Sequence, residues 1–171
     1  MKRNLFLFLI GIGLLDACTS SKPATTTSLT DNGTKKVDVN ATPSKKAASV
    51  IQAARKYLGT TYKYGGMDRH GMDCSGLVCN AFKEVDIPLP HQSAEMSELG
   101  KSLKIFELQP GDLIFMGASK GSKKVTHVGI VTSVSSSKIM FIHASTKRGV
   151  VEENLLEKWY EPLFIKGGRI L

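Results

Sequence analysis

Three residues of this 171-residue chain have types and surroundings suited to nucleophilic chemistry. Cys74 stands in Asp73-Cys74-Ser75-Gly76, where an apolar helical pattern begins. His127 follows in Thr126-His127-Val128-Gly129, and His143 in Phe141-Ile142-His143-Ala144, both inside β-rich runs. A thiol becomes a good nucleophile when its pKa is lowered, and a helix start beside an imidazole does this. The first amides of a helix lack intrahelical acceptors. Asp73 is placed to cap them, and Gly76 leaves room for another stretch of chain to approach. The pattern is that of a cysteine hydrolase, with an imidazole taking the thiol proton.

The two histidines are linked by a geometric argument. Runs 125–134 and 138–144 are joined by a serine-rich turn and should form a hairpin. With the turn centred on Ser135, His127 directly opposes His143, their Cβ atoms roughly 4.5–5.5 Å apart on one face. One ring then serves as base while the other fixes its tautomer. Taken alone, His127 among Val125, Val128 and Ile130 reads as a core histidine; Cys74 and the second histidine together turn the reading towards catalysis. His70 and His91, in loops, read as solvated or locally bonded side chains. Cys79 reads as a small core hydrophobe. A zinc site of Cys74, His127 and His143 is conceivable by residue type, but short paired-ligand spacings are missing. No metal or cofactor is expected.

These residues need a scaffold. Ser44 is a plausible N-cap, and Ala47, Ile51, Ala54 and Leu58 follow at helical spacing until Gly59. Lys45 and Lys46 in the first turn oppose the helix dipole. Residues 59–72 hold four glycines and read as an irregular loop. A helix from Cys74 carries Leu77, Val78, Ala81, Phe82 and Val85 around most of its girth, as a buried central helix does. A short helix is expected at 93–99. After the turn signature Gln109-Pro110-Gly111-Asp112 the pattern changes to strands at 113–116, 125–134, 138–144 and 164–170, with one helical turn at 155–160. Helices first and strands second predict an α+β fold, an antiparallel sheet packed against the central helix.

The front of the chain reads differently. Residues 1–17 have a basic start, Lys2-Arg3, and an apolar run at 5–15, the length of a signal peptide and too short for a membrane span. Leu15-Asp16-Ala17-Cys18 resembles a bacterial lipobox, which implies cleavage before Cys18 and lipid on its sulfur. Asp16 departs from the usual small or apolar residue, and an ordinary secretory signal is the other reading. Residues 18–46 read as the lipidated cysteine and a flexible Ser/Thr/Lys linker, too poor in apolar residues to fold. Its ends would sit roughly 30 Å apart. The folded domain is expected at 47–171.

Losing Lys2, Arg3 and Asp16 takes the 23 basic and 15 acidic residues to 21 and 14, a net +7. Such a surface suits a polyanion. The basic residues are spread without a dense run, so for an exported chain the cell wall or lipid headgroups are expected rather than nucleic acid. Cys74 and Cys79 diverge on one helix, so no bridge is expected between them.

The motifs together resemble the NlpC family of bacterial cell-wall cysteine peptidases. They are Gly59-Thr60-Thr61-Tyr62-Lys63-Tyr64-Gly65-Gly66, Asp73-Cys74-Ser75-Gly76, Leu89-Pro90, Pro110-Gly111-Asp112-Leu113, His127-Val128-Gly129-Ile130 and His143-Ala144-Ser145, and the match spans nearly all of 47–171. The resemblance implies a papain-like catalytic domain with Cys74 as nucleophile, His127 as general base and His143 as the polar residue that orients it. It also implies that the Tyr62 hydroxyl lines the cleft near the oxyanion site and that Asp73 and Ser75 hold a substrate amine. His91 stands where relatives usually carry arginine. The implied substrate is a peptide bond of peptidoglycan, within a stem or at a cross-link. Wall amidases and acyltransferases of the same broad fold use a similar pair, and a non-catalytic wall-binding lipoprotein is the contrasting class. The expected setting is the bacterial envelope, with the chain a monomer anchored in the membrane by lipid. Thr19 after Cys18, where aspartate can retain lipoproteins in the inner membrane, points to the outer membrane facing the periplasm.

Overall fold

The structure is a computed structural model that describes residues 42–171. The leader 1–17, Cys18 and the linker up to residue 41 lie outside the described residues. Helix α1 (Lys45–Arg55) starts at the expected cap, the Ser44 hydroxyl accepting the Ala47 amide at 3.1 Å. It buries Ala47, Val50, Ile51, Ala53 and Ala54. Leu58, expected on the same stripe, is exposed. The chain has left the helix before it, and the Gly59 amide bonds the Val150 carbonyl instead.

The glycine-rich loop carries a small hairpin, β1 (Met67–Asp68) and β2 (Gly71–Met72). Helix α2 (Cys74–Lys83) follows and buries Cys74 to Val78, Ala81 and Phe82. Leu77, Val78 and Phe82 are fully buried, each stabilising the fold by about 1.5–3 kcal/mol relative to exposure. Gly76 is where the loop closes on the helix. A Cβ there would lie 2.2 Å from the Gly66 carbonyl oxygen, so only glycine fits that backbone-to-backbone approach. A short helix α3 (Ser93–Met96) follows; the expected continuation to Leu99 is a turn.

Six strands form one sheet: β3 (Lys101–Leu103), β4 (Leu113–Met116), β5 (His127–Val134), β6 (Ile139–Ser145), β7 (Gly149–Asn154) and β8 (Phe164–Arg169). Their order is β3-β8-β4-β5-β6-β7, and every pairing is antiparallel. Alternation splits their apolar residues between two cores. Leu113, Phe115, Val128, Ile130, Ile142 and Ala144 pack with α1 and α2. Ile114, Met116, Val131 and Phe141 join Leu103, Leu108 and Leu155 in the second. The expected α+β fold, sheet against central helix, is what forms. Asp112, buried after the Pro-Gly turn, accepts two bonds from the Arg169 guanidinium at 2.8 and 2.7 Å, tying β8 to β4. Two strands of this sheet, β3 and β7, and the small hairpin β1–β2 are not expected from the sequence. Residues 155–160 form turns rather than a helix, and a 3₁₀ turn follows at Glu161–Leu163.

The β5–β6 hairpin differs in register from the expectation. The Ser135 amide bonds the Lys138 carbonyl at 2.8 Å, so the turn centres between Ser136 and Ser137 rather than on Ser135. Val134 then pairs with Ile139, and Ser133 with Met140. Continued unchanged, that register would face His143 with Ile130 and put the two histidines on opposite sides of the sheet. Thr132 is an extra residue that shifts the pairing to Val131–Phe141 and Ile130–Ile142. Such a bulge changes which side chains share a face. Gly129 now falls opposite His143, and His127 lies diagonal to it on the same face. A Cβ on Gly129 would sit 2.8 Å from the Phe141 ring and 3.0 Å from the Ile142 oxygen. The missing side chain leaves the diagonal open for the two imidazoles.

Candidate active site

Cys74 is the first residue of α2 and is 9% exposed. It lies in an open cleft of about 340 Å³ that Tyr62, Asp73, Ser75, His91 and Thr126 also line. Asp73 caps the helix, its Oδ1 accepting the Gly76 amide at 2.7 Å and the Ser75 hydroxyl at 2.9 Å. Its Oδ2 accepts the Gly65 amide at 2.8 Å, holding the glycine loop against the helix start. Burial alone would raise the Asp73 carboxyl. The donors Gly76, Ser75, His91 and Gly65 outweigh burial and hold it below the usual carboxylate range. Asp73 therefore brings a fixed negative charge to the cleft.

His91, expected to be a solvated or locally bonded loop residue, has a different place. Its Nε2 lies 3.1 Å from Asp73 Oδ1, and the ring forms one wall of the cleft. The loop after Leu89-Pro90 returns towards α2, a long-range approach that loop composition does not reveal. His70 fits its expectation and stays in solvent beside Asp68. The Cys79 thiol, half-buried, points at the Leu89 carbonyl 3.4 Å away, and both Cys74 and Cys79 are free thiols. Burial, then the charges of Cys74, Asp73 and Tyr64, push the Tyr62 phenol up, so its hydroxyl remains a donor in the cleft.

The histidines meet at 2.7 Å, His127 Nε2 to His143 Nδ1, their rings at right angles. His143 is 2% exposed and stacks on Phe141. Its other nitrogen, Nε2, lies 2.8 Å from Glu153 Oε2 on β7. Phe141 pairs with Glu153 and His143 with Val151, so this step is again a diagonal across neighbouring strands. Tyr160 donates its hydroxyl to Glu153 Oε2, and Arg148 donates to Oε1. Burial works against the Glu153 charge, but the bonds from His143, Tyr160 and Arg148 bring its pKa down to about 2. Glu153, Tyr160 and Arg148 were absent from the sequence reading. Glu153 sits on the unrecognised strand β7, whose two adjacent valines and two adjacent glutamates show no alternation.

Burial pushes the Cys74 thiol up, and the Asp73 charge adds to this. The amides of Val128, Ser75 and Cys74 pull the other way without prevailing. Burial, then the His143 ring, brings His127 down to about 3, although the Asp73 charge opposes them. Burial disfavours the charged form of both groups. Val128 packs in the same core cluster as Cys74, and Thr126 lines the same cleft, so the start of β5 faces the start of α2.

An α+β fold with a buried thiol at a helix start and a chain of imidazoles beyond it defines a cysteine-hydrolase class of domain. The NlpC/P60 family model matches residues 59–169. The probable endopeptidase NlpC of Escherichia coli K12 is 35% identical over 124 residues, 72% of this chain and 77% of that one. The murein DD-endopeptidase MepS/murein LD-carboxypeptidase of the same organism is 33% identical over 116 residues, 67% of this chain and 58% of that one. A crystal structure of an NlpC/P60 family protein from Bacillus cereus ATCC 10987 superposes with a TM-score of 0.66 at 29% identity, covering 77% of this chain and 41% of that one. The chain belongs to the NlpC/P60 family.

The upward push on the Cys74 thiol has a measurable consequence. A thiol whose pKa is raised stays protonated until the pH exceeds that value. Iodoacetamide alkylation of Cys74, followed by peptide mass mapping, is expected to accelerate with pH through a midpoint above that of a free thiol. A rate already at its plateau near neutrality would show a resting thiolate.

Proposed function

We propose that this chain is a cysteine peptidase that hydrolyses peptide bonds of peptidoglycan. The observation that carries the reading is the buried Cys74 thiol at the start of α2, facing the strand that begins with His127. Similarity to relatives named for endopeptidase and murein endopeptidase activity supports the substrate class. Cys74 attacks the carbonyl carbon as His127 takes its proton. The imidazolium is stabilised through His143 by the Glu153 carboxylate. Backbone amides at the start of α2, including that of Cys74, and the Tyr62 hydroxyl are the donors for the oxyanion. His127 returns its proton to the leaving amine, and water then hydrolyses the thioester. Asp73, charged and beside the nucleophile, suits an ammonium on the substrate, with Ser75 beside it.

Hydrogen bonding argues against the zinc alternative. Both nitrogens of His143 are engaged, one by His127 and one by Glu153, leaving no lone pair for a metal. For the front of the chain we propose cleavage before Cys18, lipid on its sulfur, and a linker that lets the domain scan the wall from the membrane, the outer membrane being the expected site.

Cys74→Ala is expected to abolish cleavage of defined muropeptides, with loss of at least 1000-fold in kcat and an unchanged melting curve. Mass spectrometry of the products identifies the bond: a D-glutamyl–diamino-acid link, a D-alanine cross-link, or release of whole stem peptides, the amidase outcome. Cleavage undiminished in Cys74→Ala would end the hydrolase reading. Labelling of the full-length chain by palmitate in bacterial cells is expected to disappear in Cys18→Ser; label retained there would contradict the anchor.

A further inference from the structure

The chain of hydrogen bonds does not stop at the two histidines. Its far end is a carboxylate whose own partners are all donors: His143 and Tyr160 on Oε2 and Arg148 on Oε1. An ionised carboxylate can only accept, and a guanidinium can only donate. A neutral imidazole donates from one nitrogen and accepts at the other. These rules give the chain a direction.

We propose that Glu153 is a positioning residue that sets the tautomer of His127 through His143. Because Glu153 accepts, His143 carries its proton on Nε2. Its Nδ1 is then a lone pair, so His127 must donate from Nε2 across the 2.7 Å contact. The remaining nitrogen of His127, Nδ1, is left as the free base. Glu153 is two diagonal steps from the base, yet it decides which atom of that base holds the proton. Tyr160 and Arg148 keep the carboxylate ionised and aimed, and Tyr160 also packs edge-on against His143 and Phe141. The same order of bonds lets the Glu153 charge stabilise a protonated His127, as a buried aspartate stabilises the imidazolium of a catalytic histidine. The inference rests on the proposed role of His127 as base.

Glu153→Gln tests this because it keeps the shape and reverses the direction. Arg148 only donates, so the amide oxygen turns to Arg148 and the NH₂ group faces Tyr160 and His143. A hydroxyl can accept from the NH₂. His143 can accept only by moving its proton to Nδ1, which obliges His127 to accept at Nε2 and to hold its proton on Nδ1. The nitrogen-15 histidine spectrum of the full chain is expected to show His127 protonated on Nε2 in the wild type and on Nδ1 in Glu153→Gln. Turnover of muropeptides by the variant should fall by roughly 100-fold or more in kcat, by analogy with a wrong-tautomer histidine, with KM changed less than about twofold. Its melting curve should stay close to the wild type.

Wild-type spectra with the His127 proton on Nδ1, or a Glu153→Gln variant with unchanged tautomer and unchanged kcat, would overturn the proposal. The wild-type spectrum decides the first point even if the variant does not fold. A wild type that shows the expected tautomer but cleaves no muropeptide would count against the proposed substrate and leave the role of Glu153 standing.

Discussion

The hydrogen-bonded line from His127 through His143 to Glu153 is the constraint on which the rest of the site depends. It crosses three strands, each step advancing two residues diagonally, and it exists only if both strand registers have the right parity. A slip of one residue sends a side chain to the other face of a sheet. The serine turn by itself imposes the wrong parity on β5 and β6. The Thr132 bulge restores it, and Gly129 opposite His143 keeps the diagonal clear. The far end is as demanding, because a partly buried carboxylate persists only where donors surround it. His143 on β6, Arg148 in the turn before β7 and Tyr160 in the turns after it supply those donors.

A second consequence concerns charge. The same packing that orders α2 against the sheet withdraws Cys74 and His127 from water, and burial favours the uncharged form of each. Charge is kept at two carboxylates instead: Asp73 at the mouth of the cleft and Glu153 behind the histidines, both held ionised by several hydrogen bonds. Cys74 and His127 lie between these two negative charges, an arrangement that favours an imidazolium.

Much of this was legible in the sequence where physics is local. The Ser44 and Asp73 caps, the buried face of α2, strand β4 and the need for glycine at 76 follow from residue type and spacing, and the structure has them. Pairing is where local signals ran short. A run of serines does not reveal where a turn centres, and a bulge leaves no mark in alternation when Val131, Thr132 and Ser133 all suit a strand. The assumption of direct opposition therefore gave the shared face correctly and the register incorrectly. Glu153 was hidden because the edge strand β7 lacks a period-two pattern. His91 was hidden because its partner, Asp73, is 18 residues away. The resting protonation state depends on burial, which no residue spacing encodes.

The hydrogen bond between the two imidazoles is open to direct observation. A scalar coupling between the nitrogen-15 nuclei of His127 Nε2 and His143 Nδ1 reports a shared proton and identifies both partners. A resolved coupling is expected in the uniformly labelled full chain, with the proton bound on the His127 side. Two histidines whose side-chain nitrogens show no mutual coupling, each exchanging freely with water, would contradict it.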